Sequence, residues 1–169
     1  CPFACTFCGN PKMYGRTFRV QSPQRTIWEI EYLVRCLGVK EISFKDTELT
    51  LDKRLPELCE LMIKSRYDLI WSCNGRVSNV NSKLLRLMKR AGCYSITFGI
   101  ESGNQDILDR MKKQITLEQA YQGCKMSKRA GLQVVTNFML GNAGDSKKTI
   151  EETIAFAKRL PSDYAYFGF

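Results

Sequence analysis

Histidine is absent from this chain of 169 residues. Zinc sites draw on histidine or on two short cysteine pairs, and the second of those is missing as well. Only Cys5 and Cys8 stand at C-x2-C spacing. No apolar run approaches the roughly 20 residues that a membrane-crossing helix needs, and no signal peptide is recognisable. Acidic residues are few against the basic ones, 17 to 26, which leaves a net charge of +9. The excess is diffuse, spread over Lys53, Arg54, Lys64, Lys83, Lys89, Arg90, Lys112, Lys113, Lys128, Arg129, Lys147 and Lys148. Charge scattered over helix faces is expected to be solvated surface. No aromatic residues interleave with it on one face, so nucleic-acid contact stays open but is not favoured.

What is present opens the chain: Cys1-Pro2-Phe3-Ala4-Cys5-Thr6-Phe7-Cys8, a C-x3-C-x2-C run. Three thiolates on one short loop suit three corners of a cubane [4Fe–4S] cluster. No fourth cysteine follows within the loop, and the nearest, Cys36, falls in a predicted helix. Three ligands for four irons leave one iron open, as a catalytic zinc site keeps one position open. Structural zinc is the rival for Cys1, Cys5 and Cys8, and it lacks its second ligand pair. A lipid anchor at Cys1 leaves Cys5 and Cys8 without a role.

The chain holds eight cysteines. Cys36, Cys59 and Cys124 lie in helical patterns, and Cys73 and Cys93 at or beside strands. Free cysteine is among the most buried residue types, so these five are expected in the core as unpaired thiols. Unpaired thiols in number point to a reducing, cytoplasmic setting. The length is that of one domain, and an opening on Cys1 rather than Met leads us to expect a segment of a longer protein.

A βα repeat runs through the chain. Ser22-Pro23 reads as N-cap and first helical residue, with Ile27, Ile30, Val34 and Leu37 on one stripe and Gly38 as the stop. Glu41–Phe44 is a strand, and a helix carrying Pro56 in its first turn follows from near Asp52. Strands are predicted at Leu69–Cys73, Tyr94–Ile100, Leu132–Leu140 and Asp163–Phe169. Helices between them start at the caps Asn81, Thr116 (a capping box with Gln119) and Ser146. They end at Gly92, Gly131 and Pro161. Alternation of this kind implies parallel strands and right-handed crossovers. The cysteine loop should itself follow a strand upstream of Cys1, giving an α/β fold: a partial parallel (β/α)6 barrel, like an open TIM barrel, whose first strand is missing. In such barrels chemistry gathers at the C-terminal strand ends. Those ends are polar here: Lys45-Asp46-Thr47-Glu48, Asn74-Gly75-Arg76, Glu101-Ser102, and Asn137 within the fourth strand. Each alone reads equally well as helix capping. Together they line the rim that carries the cysteines.

With these residues in view, the chain resembles the radical S-adenosylmethionine (radical SAM) enzymes over essentially its whole length. Their signature loop matches Cys1, Cys5, Phe7 and Cys8. The resemblance implies that SAM chelates the open iron and that Phe7 lies against its adenine. The family's Gly-Gly-Glu segment, which holds the methionyl amine, aligns with Asp46-Thr47-Glu48 and lacks both glycines. The run Phe44-Lys45-Asp46-Thr47-Glu48-Leu49-Thr50 is similar to one in the cobalamin-binding branch, as are Trp71–Arg76, Ala91–Gly103 and Phe138–Gly141. Gly141-Asn142-Ala143-Gly144-Asp145-Ser146 departs from that branch by lacking its proline. By the same resemblance Glu101 and Ser102 meet the methionyl or ribose part of SAM, and Met139 packs on adenine. Asn74, Arg76 and Asn137 complete the expected cofactor-binding set, and no side chain is assigned a catalytic role.

The implied mechanism is one-electron cleavage of SAM to methionine and a 5′-deoxyadenosyl radical, which takes hydrogen from a substrate. The resemblance implies a small-molecule substrate that is methylated or rearranged, and an electron donor such as flavodoxin or ferredoxin. Residues 1–169 would be a fragment of the core domain, with a cobalamin domain upstream and the C-terminal region missing. Two alternatives stand beside this reading: a tRNA-modifying radical SAM methylthiotransferase, which the +9 charge suits, and a non-enzymatic zinc-binding module whose polar rim is only helix caps.

Overall fold

The computed structural model describes residues 1–169. Its five strands are β1 (Glu41–Phe44), β2 (Ile70–Gly75), β3 (Cys93–Glu101), β4 (Gln133–Met139) and β5 (Tyr164–Gly168). They form one open sheet in chain order, and every neighbouring pair is parallel. Helices α2 (Pro23–Leu37), α3 (Leu55–Ser65), α4 (Ser82–Arg90), α6 (Leu117–Arg129) and α7 (Lys147–Arg159) make up the βα repeat. Two short helices, α1 (Asn10–Tyr14) and α5 (Gln105–Arg110), escaped the sequence reading. The architecture is the expected partial (β/α) barrel, with β1 and β5 as its edges.

Local chemistry accounts for the helix boundaries. The side chains of Ser22, Asn81, Thr116 and Ser146 each accept a backbone N–H from the first turn of α2, α4, α6 and α7, filling donors that a helix start leaves open. Gly38 closes α2 at φ 66°. The helix expected near Asp52 begins instead at Leu55, after a single 3-10 turn at Leu49–Leu51. Asp52 turns back to accept the Arg54 N–H at 2.9 Å.

The two faces of the sheet differ in kind. Trp71, Cys73, Ile96, Phe98, Ile100, Val134 and Phe138 are buried on the outer face, under the helices. Trp71 is pinned there by an indole N–H donated to Ala91 O at 2.8 Å and by the edge of Phe44 at 5.4 Å. In register with one another on the opposite face are Asn74 and Thr97, and Gly99 and Asn137. A parallel sheet packed on both faces reads as continuous apolar runs. The polar inner face therefore lines a cavity rather than a second core.

Two expectations are corrected at the edge of α2. Cys36 is exposed rather than buried, and Leu37 is 61% exposed. Ile30 of the same helix is the buried anchor and Val34 still packs against the core, but Cys36 and Leu37 beyond it stand in solvent. The missing proline after Gly141 is replaced by polar ties: Asn142 Nδ2 donates to Met139 O at 2.9 Å and Asp145 accepts the Asn142 N–H at 2.8 Å. No helix is long and apolar enough to cross a membrane.

Candidate functional site

The cysteine loop lies across the C-terminal ends of the strands. Its Thr6 N–H donates to Met111 O at 2.9 Å, and a turn closes at Cys8 N–H to Cys5 O, 3.2 Å. Cys1, Cys5 and Cys8 are free, half-buried thiols. All three face a cleft of about 270 Å³ whose other walls include Thr47, Glu48, Asn74, Arg76, Glu101 and Asn137. The loop after β1 and the ends of β2, β3 and β4 thus converge on the sulfur atoms.

Two of the buried charges in the cleft form an ion pair. Lys113 Nζ donates to Glu101 Oε1 at 2.8 Å, and both residues are buried. Glu101 holds φ 74°, a left-handed conformation that strains a residue with a Cβ and folds its carboxylate back over the strand. That fold needs Gly99, where a Cβ would overlap Glu101 Oε1. Lys113 is not one of the solvated surface charges expected from the sequence. It is instead buried in the turn between α5 and the Thr116 cap, with Nζ 5.7 Å from the Phe7 ring centroid. The available signal was its position between two helices, not on the face of either.

Glu48 is also buried. Burial pushes its carboxyl above the ordinary range, while the Thr50 hydroxyl, donating at 2.6 Å, and the cations of Arg76 and Lys113 pull the other way. Arg76 is nearly sealed. Nε donates to Ser78 Oγ at 3.2 Å, and Nη2 donates to the carbonyls of Lys113 and Gln114. Its guanidinium carbon lies 3.8 Å from the centroid of Phe3, in the cysteine loop. Asn74 reaches across to donate to Asp46 O at 3.2 Å and closes the loop after β1.

Three residues of the expected set lie outside the cleft. Asp46 lines an adjoining hollow with Cys1 and Tyr14. Met139 lines a second hollow, of about 390 Å³, together with Phe7, Met111 and Gly141. Phe7 borders both this hollow and the main cleft, so its ring stands between them. Ser102 is 1% exposed and turns away from the cysteines, sharing a hydrogen bond with Thr153 Oγ1 at 3.2 Å and accepting the Asn104 N–H at 3.1 Å. It ties β3 to α7 instead of facing the cleft. The cause is backbone alternation, since consecutive residues leaving a strand point to opposite sides.

The donor chemistry fits an iron–sulfur cube. Three thiols sit on one loop beside an open cleft. A cube takes its thiolates at separate corners. Past the thiols lie a buried carboxylate, a buried ammonium and a close-approach glycine, a set suited to an amino acid with both its charges.

The model of the Radical SAM superfamily matches residues 1–157. The chain is 38% identical over 168 residues to an uncharacterized methyltransferase of Pyrococcus horikoshii, covering 99% of this chain and 37% of that protein. It is 33% identical over 168 residues to the anaerobic magnesium-protoporphyrin IX monomethyl ester cyclase of Rubrivivax gelatinosus, covering 98% of this chain and 30% of that protein. Among solved structures, the radical S-adenosylmethionine methyltransferase TsrM from Kitasatospora setae, with cobalamin and a [4Fe–4S] cluster bound, superposes with a TM-score of 0.91 at 16% identity, over 99% of this chain and 34% of that one. The chain therefore spans about a third of the length of the proteins it matches.

Proposed function

The chain belongs to the radical SAM superfamily, and from that membership we propose that it is the core of an enzyme in which Cys1, Cys5 and Cys8 hold a [4Fe–4S] cluster and the cleft beside them holds SAM. When bound, the cluster supplies the electron that breaks the C5′–S bond of SAM, and the fragment released takes hydrogen from a substrate. The observation that carries this reading is that the three thiols share one cleft with buried groups of both signs, Glu48, Glu101 and Lys113.

The protein's own part is binding and orientation. Glu48 would receive the methionyl ammonium, whose charge favours the ionised carboxylate that burial alone resists. Lys113, already turned inward by Glu101, would receive the methionyl carboxylate. Glu101 and Asn137 would then face the ribose hydroxyls, the Glu101 carboxylate being seated over Gly99. Phe7 and Met139, which share the second hollow, would enclose the adenine. Ser102 keeps a supporting role, holding the end of β3 against α7.

The activity of the whole protein is proposed as methylation or rearrangement of a small molecule, with cobalamin carried by a domain preceding Cys1 and one electron at a time delivered by a flavodoxin- or ferredoxin-like donor. A reducing, cytoplasmic setting belongs to the same reading. The relative named a methyltransferase supports the class of reaction, and the one named for magnesium-protoporphyrin IX monomethyl ester supports a small-molecule substrate. Anaerobic reconstitution of the full-length protein, followed by electron paramagnetic resonance of the reduced sample, tests it. A [4Fe–4S] signal that shifts on adding SAM is expected. About one zinc per chain with no sulfide, or a cluster signal indifferent to SAM, sinks the proposal.

A further inference from the structure

Arg76 stands at a joint. One side of its guanidinium covers Phe3, two residues before Cys5 in the cysteine loop, at 3.8 Å. The other grips the carbonyls of Lys113 and Gln114 through Nη2. The gripped turn is strained, for Lys112 and Gln114 hold φ 52° and 55° on either side of Lys113, a region that side chains other than glycine rarely enter. Strain of that kind persists only where its surroundings over-determine it. The Arg76 backbone N–H donates to Thr50 Oγ1 at 3.0 Å, and the same hydroxyl donates to Glu48 at 2.6 Å. Arg76 thus joins the cysteine loop, the Lys113 turn and the Glu48 carboxylate, and its Nε and Nη2 are committed to protein oxygens.

We infer that Arg76 is a positioning residue: it couples the cysteine loop to the Lys113 turn, so that one side chain sets both the retention of the cluster and the grip on SAM. The inference rests on the proposed reading of the cleft. Only arginine offers a planar face for Phe3 together with a fork for two carbonyls, and lysine, a point charge on a flexible stem, supplies neither.

The test uses the full-length protein, anaerobically, with wild type measured first. A wild type that takes up no cluster overturns the proposed function itself and is told apart in that way. Three readouts follow for Arg76→Lys. Hydrogen exchange of the cluster-free protein should speed up about tenfold at Thr6 and over residues 111–114, because local opening is eased there. The dissociation constant for SAM should rise about tenfold, and the cluster should be lost several-fold faster in air. Adding Lys112→Gly and Gln114→Gly to Arg76→Lys should recover most of the SAM affinity, since glycine holds positive φ without a clamp. Cluster lifetime should stay short in that variant. Phe3→Leu should shorten cluster lifetime while leaving SAM affinity within about twofold.

Arg76→Lys with wild-type exchange and wild-type SAM affinity overturns the inference. So does a failure of the two glycines to restore binding, which would make Arg76 a direct ligand or a general stabiliser. Should Arg76→Lys not fold, Phe3→Leu decides alone, and an unchanged cluster lifetime in it is equally decisive against the coupling.

Discussion

Lys113 Nζ and Glu101 Oε1 lie 2.8 Å apart, with 7% and 8% of the two residues reaching solvent. A buried pair of this kind adds little net stability, but breaking it leaves a charge without a partner. Lys113→Met should therefore lower the stability of the cluster-free protein by about 3–5 kcal/mol. Pairing it with Glu101→Leu should restore a good part, and urea unfolding midpoints measure both. A loss under about 1 kcal/mol in the single variant would show that Glu101 is not dependent on Lys113. With cluster present, Lys113→Met should also weaken SAM binding, whereas the double variant recovers stability without recovering binding.

Gly99 makes that pair possible. Its ideal Cβ overlaps Glu101 Oε1 and comes within 3.1 Å of Lys113 Nζ, so Gly99→Ala must displace the Glu101 carboxylate. Overpacking of this sort costs about 1–3 kcal/mol. Gly9→Ala is the contrast, since nothing lies within 4 Å of a Cβ there and its φ of −76° suits any residue. Thermal melts of the cluster-free protein should separate the two variants, Gly99→Ala falling well below wild type and Gly9→Ala staying near it. Equal melting temperatures would mean that the carboxylate moves aside freely.

The frame of the molecule was legible because its signals are local. Caps such as Ser22, Asn81, Thr116 and Ser146 act within four residues of their helices, and the run Ser95-Ile96-Thr97-Phe98 alternates because one face meets helices and the other a polar cavity. The cysteine spacing was legible for the same reason. What escaped depends on turns and on elements distant in sequence. Lys113 is buried because of a turn with two left-handed residues and a partner on β3. Ser102 shares the polarity of Glu101 but not its direction. Cys36 lies on the face of α2 opposite the stripe of Ile27, Ile30 and Val34, in line with the exposed Trp28 and Tyr32.

The eight cysteines divide by accessibility, and alkylation reads the division directly. Burial pushes the thiols of Cys59 and Cys124 up to about 12. A hydrogen bond with Cys93 raises Cys73 as well, with burial adding to it. The thiolate is the reactive species, so at pH 8 roughly one Cys59 in ten thousand is poised to react. In the folded, cluster-free protein Cys1, Cys5, Cys8 and Cys36 should label quickly, and Cys59, Cys73, Cys93 and Cys124 only on unfolding. Loading the cluster should protect the first three and leave Cys36 reactive. Correspondingly, Cys5→Ala should abolish 5′-deoxyadenosine formation, and Cys59→Ala should retain most of it. Rapid labelling of Cys59 in the native state, or equal activity in the two variants, contradicts this division.

Glu48 gives the cleft a pH dependence with a definite sign. Burial raises its folded-state carboxyl above the unfolded value, so the native state binds the proton more tightly than the unfolded chain does. Its contribution to stability is then fully present below the unfolded carboxylate range and is lost as pH rises through the raised folded value. The cluster-free protein should accordingly lose stability from this group on going from weakly acidic to neutral pH. Glu48→Gln, neutral throughout, should abolish that part of the slope and be the more stable of the two at pH 7. SAM binding should run the other way, because the methionyl ammonium selects the ionised carboxylate. Affinity for SAM should therefore climb over the same interval in wild type and stay flat in Glu48→Gln. Parallel pH profiles for the two proteins, in both unfolding and SAM titration, would remove Glu48 from the ammonium site.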